Sequence, residues 1–176
     1  PERTVSWQGH HWDWSKQSAL MNVVKLPSRS PAALGIALRG ADPALRGRLT
    51  AEGWILIEDP GIDRPNVYRR YITTSIAEFS TAKELYVAPR TGWVSDRTVC
   101  YLAAGRPAVV ERTGIQGVPL GAGLLDFEGV DEAAEAISDV TERYDHHAGA
   151  ATDLAREHFA ADRVVRDLLS RAGLWS

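Results

Sequence analysis

A single cysteine, Cys100, leaves this chain unable to form an internal disulfide, so its fold rests on a packed core rather than on covalent staples. Long apolar runs are missing as well, and none approaches the length a membrane span needs. Neither sign of charge dominates, with 20 Lys and Arg against 23 Asp and Glu. The resulting net charge of -3 excludes a general nucleic-acid binder, whose affinity rests on a basic surface. Repeats, low-complexity tracts and long linkers are also absent. What remains, 44% apolar and 24% charged residues over 176 positions, describes one soluble globular domain spanning 1–176. The chain opens at Pro1 rather than Met, and no charged-plus-apolar leader precedes the first expected strand. It reads as a piece of a longer protein from a reducing, cytoplasmic compartment.

The most informative segment runs from Arg90 to Glu111, RTGWVSDRTVCYLAAGRPAVVE. It reads as loop, helix start, short small-residue helix, tight turn and buried strand. Ser95 is placed to cap a helix whose first turn carries Asp96 and Arg97, so free backbone N–H groups and the positive end of the dipole face the preceding loop. A phosphate fits such a place. Leu102, Ala103 and Ala104 let the helix lie close on a sheet, Gly105 ends it, and Pro107 prevents it continuing into Ala108, Val109 and Val110. The same pattern also describes an ordinary βα crossover without a ligand. Cys100 lies on this helix and is expected to pack rather than react.

Elements alternate along the whole chain. Strands are expected at 3–8, 33–38, 54–57, 76–81, 108–111 and 123–127. Helices are expected at 15–24 with Ser15 as cap, and at 43–52, 66–74, 131–144, 147–159 and 161–172. Six strands joined by helical crossovers predict an α/β fold with a doubly wound, mostly parallel, six-stranded Rossmann-like sheet and helices on both faces. Ligands of such sheets bind beyond the carboxyl ends of the strands.

WSK at 14–16, AEFSTAK at 77–83, GWVSDR at 92–97, YLAAGRP at 101–107, TG at 113–114 and the following LGAGLLDF appear in one order along nearly the whole chain. Together they resemble the C-terminal half of a bacterial family of glycosyltransferases, which itself resembles the two-Rossmann-domain (GT-B) architecture. The resemblance implies that this piece binds a nucleotide-sugar donor and that an acceptor-binding half lies upstream. It implies neither a metal nor a cofactor.

Departure of a nucleoside diphosphate without a metal requires dipoles, backbone donors and cations to offset the developing charge. Ser95 and Asp96 at the helix start, with Trp93 in the same GWVSDR motif, supply the first two. Lys16 stands where GT-B relatives place a basic residue against the diphosphate; otherwise it is a solvated helix-end lysine. Arg97 is a cation in a first helical turn, unfavourable unless an anion lies between it and the dipole, be that a phosphate or a salt bridge to Asp96 or Glu111. Lys83 and Arg90 are candidates for the same crevice, or surface charges. Thr113 and Gly114 follow a strand where glycine-turn amides can hold sugar or phosphate. Glu78, in a buried strand, needs a partner such as Lys83 or a sugar hydroxyl, the ion pair being preferred.

His10 and His11 have only Asp13 beside them, which is no zinc set; one is expected to face the donor crevice and one to pack on Trp12 or Trp14. Trp7, Trp12 and Trp14 offer stacking surfaces or core packing. His146 and His147 are expected to face solvent. Many retaining GT-B enzymes carry two glutamates eight residues apart, and Gly92 and Cys100 stand at those positions here. Catalytic residues and stereochemistry therefore stay unassigned. A non-catalytic nucleotide-recognition or assembly domain of the same fold is the alternative. A dinucleotide oxidoreductase would need G-x-G-x-x-G after the first strand, where WQGHHWDW stands instead.

Overall fold

Strand β6 (Ala108–Glu111) sorts the core, because its alternating side chains enter two separate clusters. A computed structural model of the chain describes residues 4–7, 9–38, 40–58, 61 and 63–175. In it β6 lies between β5 (Glu78–Ser80) and β7 (Leu124–Phe127), all three parallel. Val109 joins Leu125 and Phe127 on one face, against α6 (Gly129–Glu142), whose Ala133, Ala136, Ile137 and Val140 are buried. Ala108, Val110 and Leu124 occupy the other face with Leu102 of α5 (Asp96–Ala103) and with Ala151 and Leu154 of α7 (Tyr144–His158). Helices thus cover both faces of this sheet, as the near-continuous apolar run of β6 requires.

A second parallel sheet pairs β3 (Gly35–Leu38) with β4 (Ile55–Glu58), in the register Gly35 to Ile55 through Leu38 to Glu58. Helix α2 (Pro43–Ala51) connects them. It starts where Asp42 accepts the N–H of Leu45 at 2.7 Å ahead of Pro43, and it is followed by Gly53 at φ +92°. Helix α3 (Pro65–Thr74) then leads to β5. Trp54 is the link between the two sheets. Its indole donates to the carbonyl of Val24 at 2.8 Å, and its ring meets Phe79, which stacks on Phe127 at 5.2 Å.

The architecture is α/β with parallel sheets, but the expected six-stranded sheet is corrected, among the described residues, to sheets of two, two and three strands. Every expected strand forms; the pairing differs. The first, β1 (Thr4–Trp7), pairs antiparallel with β2 (His10–Asp13), so the stretch expected as a Trp-rich turn is itself a strand. Gly9 at φ +79° allows the tight connection, and closing so short a loop costs less entropy than joining a distant parallel ladder. Expected strand ends at 3 and 8, and the side chain of Trp7, lie outside the described residues. Between β3 and β5 a cavity of about 890 Å³ takes the place of ladder hydrogen bonds.

The first helix is shorter than expected, α1 (Gln17–Asn22), although Ser15 Oγ does accept the N–H of Gln17 at 2.9 Å. A short helix not expected from the sequence, α4 (Glu84–Val87), follows β5. The last helix, α8 (Ala161–Arg171), leaves Val164, Val165 and Leu168 exposed. Two side-chain placements are also corrected. Cys100 is exposed on α5 rather than packed, because the buried face of that helix is Thr98, Tyr101 and Leu102. His147 is fully buried rather than solvent-facing: its Nδ1 accepts the N–H of Gly123 at 3.2 Å, and its Nε2 lies 3.3 Å from Asp139 Oδ2. No helix among the described residues is long and apolar enough to cross a membrane.

Candidate functional site

The site is built at the carboxyl ends of β5 and β6. Pleating of β5 sends Phe79 into the core and puts Glu78 and Ser80, both buried, on the opposite face. Arg97 reaches over them from the first turn of α5. Its Nε donates to Glu78 Oε1 at 2.6 Å and its Nη2 to Ser80 Oγ at 2.6 Å, so one planar fork spans two residues of one strand face. Arg97 therefore meets an anion, as its position in the first turn requires, but the anion is Glu78 rather than Asp96 or Glu111. Burial works against the guanidinium's charge, and the Glu78 carboxylate outweighs it, raising the Arg97 pKa further.

The start of α5 follows the sequence reading. Ser95 accepts the N–H of Arg97 at 3.2 Å, and Asp96 stays exposed with its Oδ1 3.3 Å from the Ser95 hydroxyl. One turn on, Thr98 is buried and its Oγ1 has no hydrogen-bond partner among the described residues. Lys16, Ser80, Thr81, Trp93, Ser95, Thr98, Glu111 and Thr113 surround a recess of about 20 Å³ here. That volume holds a water, so a phosphate would sit at the mouth rather than inside. Glu111 is tied down by the N–H of Ala82, which donates to its Oε2 at 2.8 Å. Burial pushes the Glu111 carboxyl upward, against the pull of that hydrogen bond and of Lys16.

Lys16 makes no ion pair with any described residue, although its neighbours include both carboxylates. Partial burial holds its ammonium below the usual lysine range, reinforced by Arg97 and Lys83 and opposed by Glu78 and Glu111. An ammonium in this setting favours an added anion. Lys83 itself sits 4.0 Å from the centre of the Trp14 ring, where cation–π attraction holds it.

The loop before α5 is stitched to the turn after β6. Gly92 donates to the carbonyl of Thr113 at 2.8 Å, and the Thr113 hydroxyl donates to the carbonyl of Trp93 at 2.8 Å. A Cβ on Gly114, at φ +79°, would lie 3.0 Å from Arg90 Cβ, so glycine permits the close approach. Thr113, Gly114 and Arg90 thereby shape the loop, while the Trp93 ring stacks on Tyr86 with centroids 4.5 Å apart. Arg90 is exposed and lies outside the recess lining. His10 stands apart on β2, stacked on Trp12 at 5.9 Å, and His11 Nδ1 is 2.7 Å from Ser6 Oγ.

The structure thus brings Lys16, Trp93, Ser95, Arg97 and Thr113 together, keeps Lys83 close by, and leaves His10 and Arg90 outside. Sequence reasoning missed Ser80, Thr98 and the tyrosines Tyr68, Tyr71 and Tyr101, which line the larger cavity with Arg97 and Glu78. Only Thr98 left a signal: it follows Ser95 by three positions, on the same helix face. Among the described residues no group of three or more His, Cys, Asp or Glu is placed to hold a metal ion. Fold and site together define an α/β domain with a mixed-charge crevice beyond the carboxyl ends of a parallel sheet. Comparison with models of known families, with curated proteins and with solved structures gave no match.

Proposed function

We propose that this chain is the donor-binding half of a metal-independent glycosyltransferase of GT-B type, and that it holds the diphosphate of a nucleotide sugar at the mouth of the recess before α5. The observation that carries the reading is the ammonium of Lys16. It lies beside Arg97 and the capped start of α5, with Glu78 and Glu111 acting on it but no ion pair within 4 Å among the described residues, an arrangement that an anion at the recess would complete. Lys16 supplies charge, Ser95 caps the helix start, and Trp93 with Tyr86 supplies an aromatic face beside them. The acceptor half lies upstream in this reading, the general base belongs to it, and the location is cytoplasmic.

Titration calorimetry with uridine, guanosine, thymidine and adenosine diphosphates tests this. The best binder loses at least tenfold in affinity on Lys16→Ala, because a charge-assisted contact is removed. Equal binding by wild type and variant, or no binding of any member, overturns the reading.

A non-catalytic nucleotide-recognition domain is the second reading, favoured by Gly92 and Cys100. Neither residue offers a carboxylate: Gly92 is bonded to Thr113, and Cys100 is exposed. Absence of transfer by a longer chain that binds the donor would select it.

A further inference from the structure

The cavity between β3 and β5 has the shape of one strand of a sheet. Its sides are the two strands themselves, since residues 31–38 and 75–81 line it without a break. Among the described residues each strand is paired along one edge, β3 with β4 and β5 with β6. The N–H of Ile55 donates to the carbonyl of Leu34 at 2.9 Å, so by the two-residue alternation of a strand Leu34, Ile36 and Leu38 turn their backbone groups to β4. Gly35 and Ala37 therefore turn theirs to the cavity. On the facing strand the N–H of Glu78 donates to the carbonyl of Pro107 at 2.9 Å, so Glu78 and Ser80 serve β6 while Ala77 and Phe79 present their backbone groups to the cavity. Two strand edges thus face one another, and such edges are templates for a further strand. Ile137 and Val140 of α6 close one face of the space, and Tyr68 and Tyr71 of α3 with Tyr101 of α5 close the other. Its ends are open, at the exposed Ile76 and at the exposed Gln17 and Gly40. A strand ~20 Å long, in a layer roughly 10 Å thick with ~4.8 Å between neighbours, takes up about 950 Å³. The cavity, at about 890 Å³, matches it.

We propose that this cavity takes an extended peptide segment of a partner protein, inserted between β3 and β5 and joined to both by main-chain hydrogen bonds. Alternate residues of the segment bond Gly35 and Ala37 on one side, and the residues between them bond Ala77 and Phe79 on the other. Its side chains alternate as well, β-branched apolar residues toward Ile137 and Val140, threonine or serine toward the tyrosines. Proline is excluded from the segment, because every N–H is used. Both ends run out through the open ends of the cavity, so the segment is internal to its own chain. Once inserted it joins the two sheets into one. This strand site is independent of the phosphate reading above.

Fluorescence anisotropy and NMR hydrogen exchange on the whole chain test this, with a panel of end-capped peptides of about seven residues that alternate valine or isoleucine with threonine or serine. A member of the panel is expected to bind and to slow exchange of the Gly35, Ala37, Ala77 and Phe79 amides at least tenfold. N-methylation of two alternate residues of that peptide removes the donors toward one strand edge and keeps the side chains, and it is expected to weaken binding at least tenfold. Ala37→Pro removes an N–H that faces the cavity and none from the β3–β4 ladder, so it is expected to fold and to weaken the peptide at least tenfold. Should that variant fail to fold, the N-methylated series on wild type decides the matter. No binding by any member of the panel, or equal binding of the N-methylated peptide, overturns the proposal. Exchange of the four amides as slow as that of the β3–β4 ladder with no peptide present shows the two edges paired with each other, and overturns it too. Peptide binding by a chain that binds no nucleoside diphosphate sinks the phosphate reading alone.

Discussion

Arg97 and Glu78, 19 positions apart in sequence, meet at 2.6 Å, with the carboxylate side chain 2% exposed and the guanidinium 38% exposed. The inequality decides what each partner's removal does. Arg97→Ala strands a buried carboxylate, which costs toward the lower end of the ~3–5 kcal/mol typical of broken buried pairs, because water reaches the arginine side. Glu78→Ala leaves Arg97 able to turn toward solvent and costs less. The double variant Glu78→Ala with Arg97→Ala is expected to be more stable than Arg97→Ala alone. Urea unfolding of the three variants measures this, and an additive double variant would contradict the pairing.

Two glycines predict opposite signs for the same substitution. A Cβ on Gly123 would stand 2.4 Å from the Ala151 backbone nitrogen, and Gly123 adopts φ +75°, so α7 lies directly on the entry to β7. Gly123→Ala must push the helix away and strain the backbone, a loss on the order of 2–4 kcal/mol. Gly149, inside α7, has nothing within 4 Å of its would-be Cβ. Gly149→Ala is expected to stabilise by roughly 0.5–1 kcal/mol through helix propensity. Thermal melts of the two variants should move in opposite directions.

Local features of this fold were legible because they depend on neighbours in the chain. Asp42 and Pro43 announce α2, Ser95 announces α5, and Gly105 with Pro107 announces the entry to β6. Pairing was not legible, because parallel ladders join residues far apart and nothing local in β3 states whether β5 lies beside it. The hairpin strand His10–Asp13 was hidden by composition: two histidines and an acid do not show the apolar alternation that marks a half-buried strand. In the site, the position of Arg97 correctly announced an anion and left its identity open. A carboxylate 19 residues back satisfies the dipole argument as well as a phosphate does. Glu78 was legible as an acid needing a partner, but Lys83 is drawn to the Trp14 ring instead.

Burial of His147 makes stability depend on pH. Desolvation holds its imidazole below the ordinary value of 6.5, and Arg143 and His146 add to that, while Asp139 opposes it. The folded state therefore binds its proton less readily than the unfolded chain. The sign follows: the contribution is complete above about 6.5, and stability falls as pH drops below that value toward the depressed folded pKa. Below both values the loss is complete. His147→Gln is expected to lower stability at neutral pH and to flatten the slope between pH 6.5 and the onset of acid unfolding. Denaturant titrations at successive pH values read both effects; an unchanged slope in the variant would assign the pH dependence to other groups.

Lys16 offers a chemical readout that needs no substitution. The chain has three lysines, Lys16, Lys25 and Lys83, and burial together with Arg97 shifts the Lys16 ammonium downward. The unprotonated amine is the nucleophile, so at pH 8 to 9 Lys16 is expected to acylate with an amine-reactive ester, and the exposed Lys25 serves as an internal control for labelling. An anion bound at the recess reverses the shift and covers the amine. Saturating nucleoside diphosphate should therefore protect Lys16 while leaving Lys25 unchanged, and affinity for the diphosphate should fall as pH rises through the depressed Lys16 pKa. Peptide mass spectrometry of the acylated chain, with and without ligand, resolves the lysines individually. Equal protection of Lys16 and Lys25, or none at either, would place the anion elsewhere.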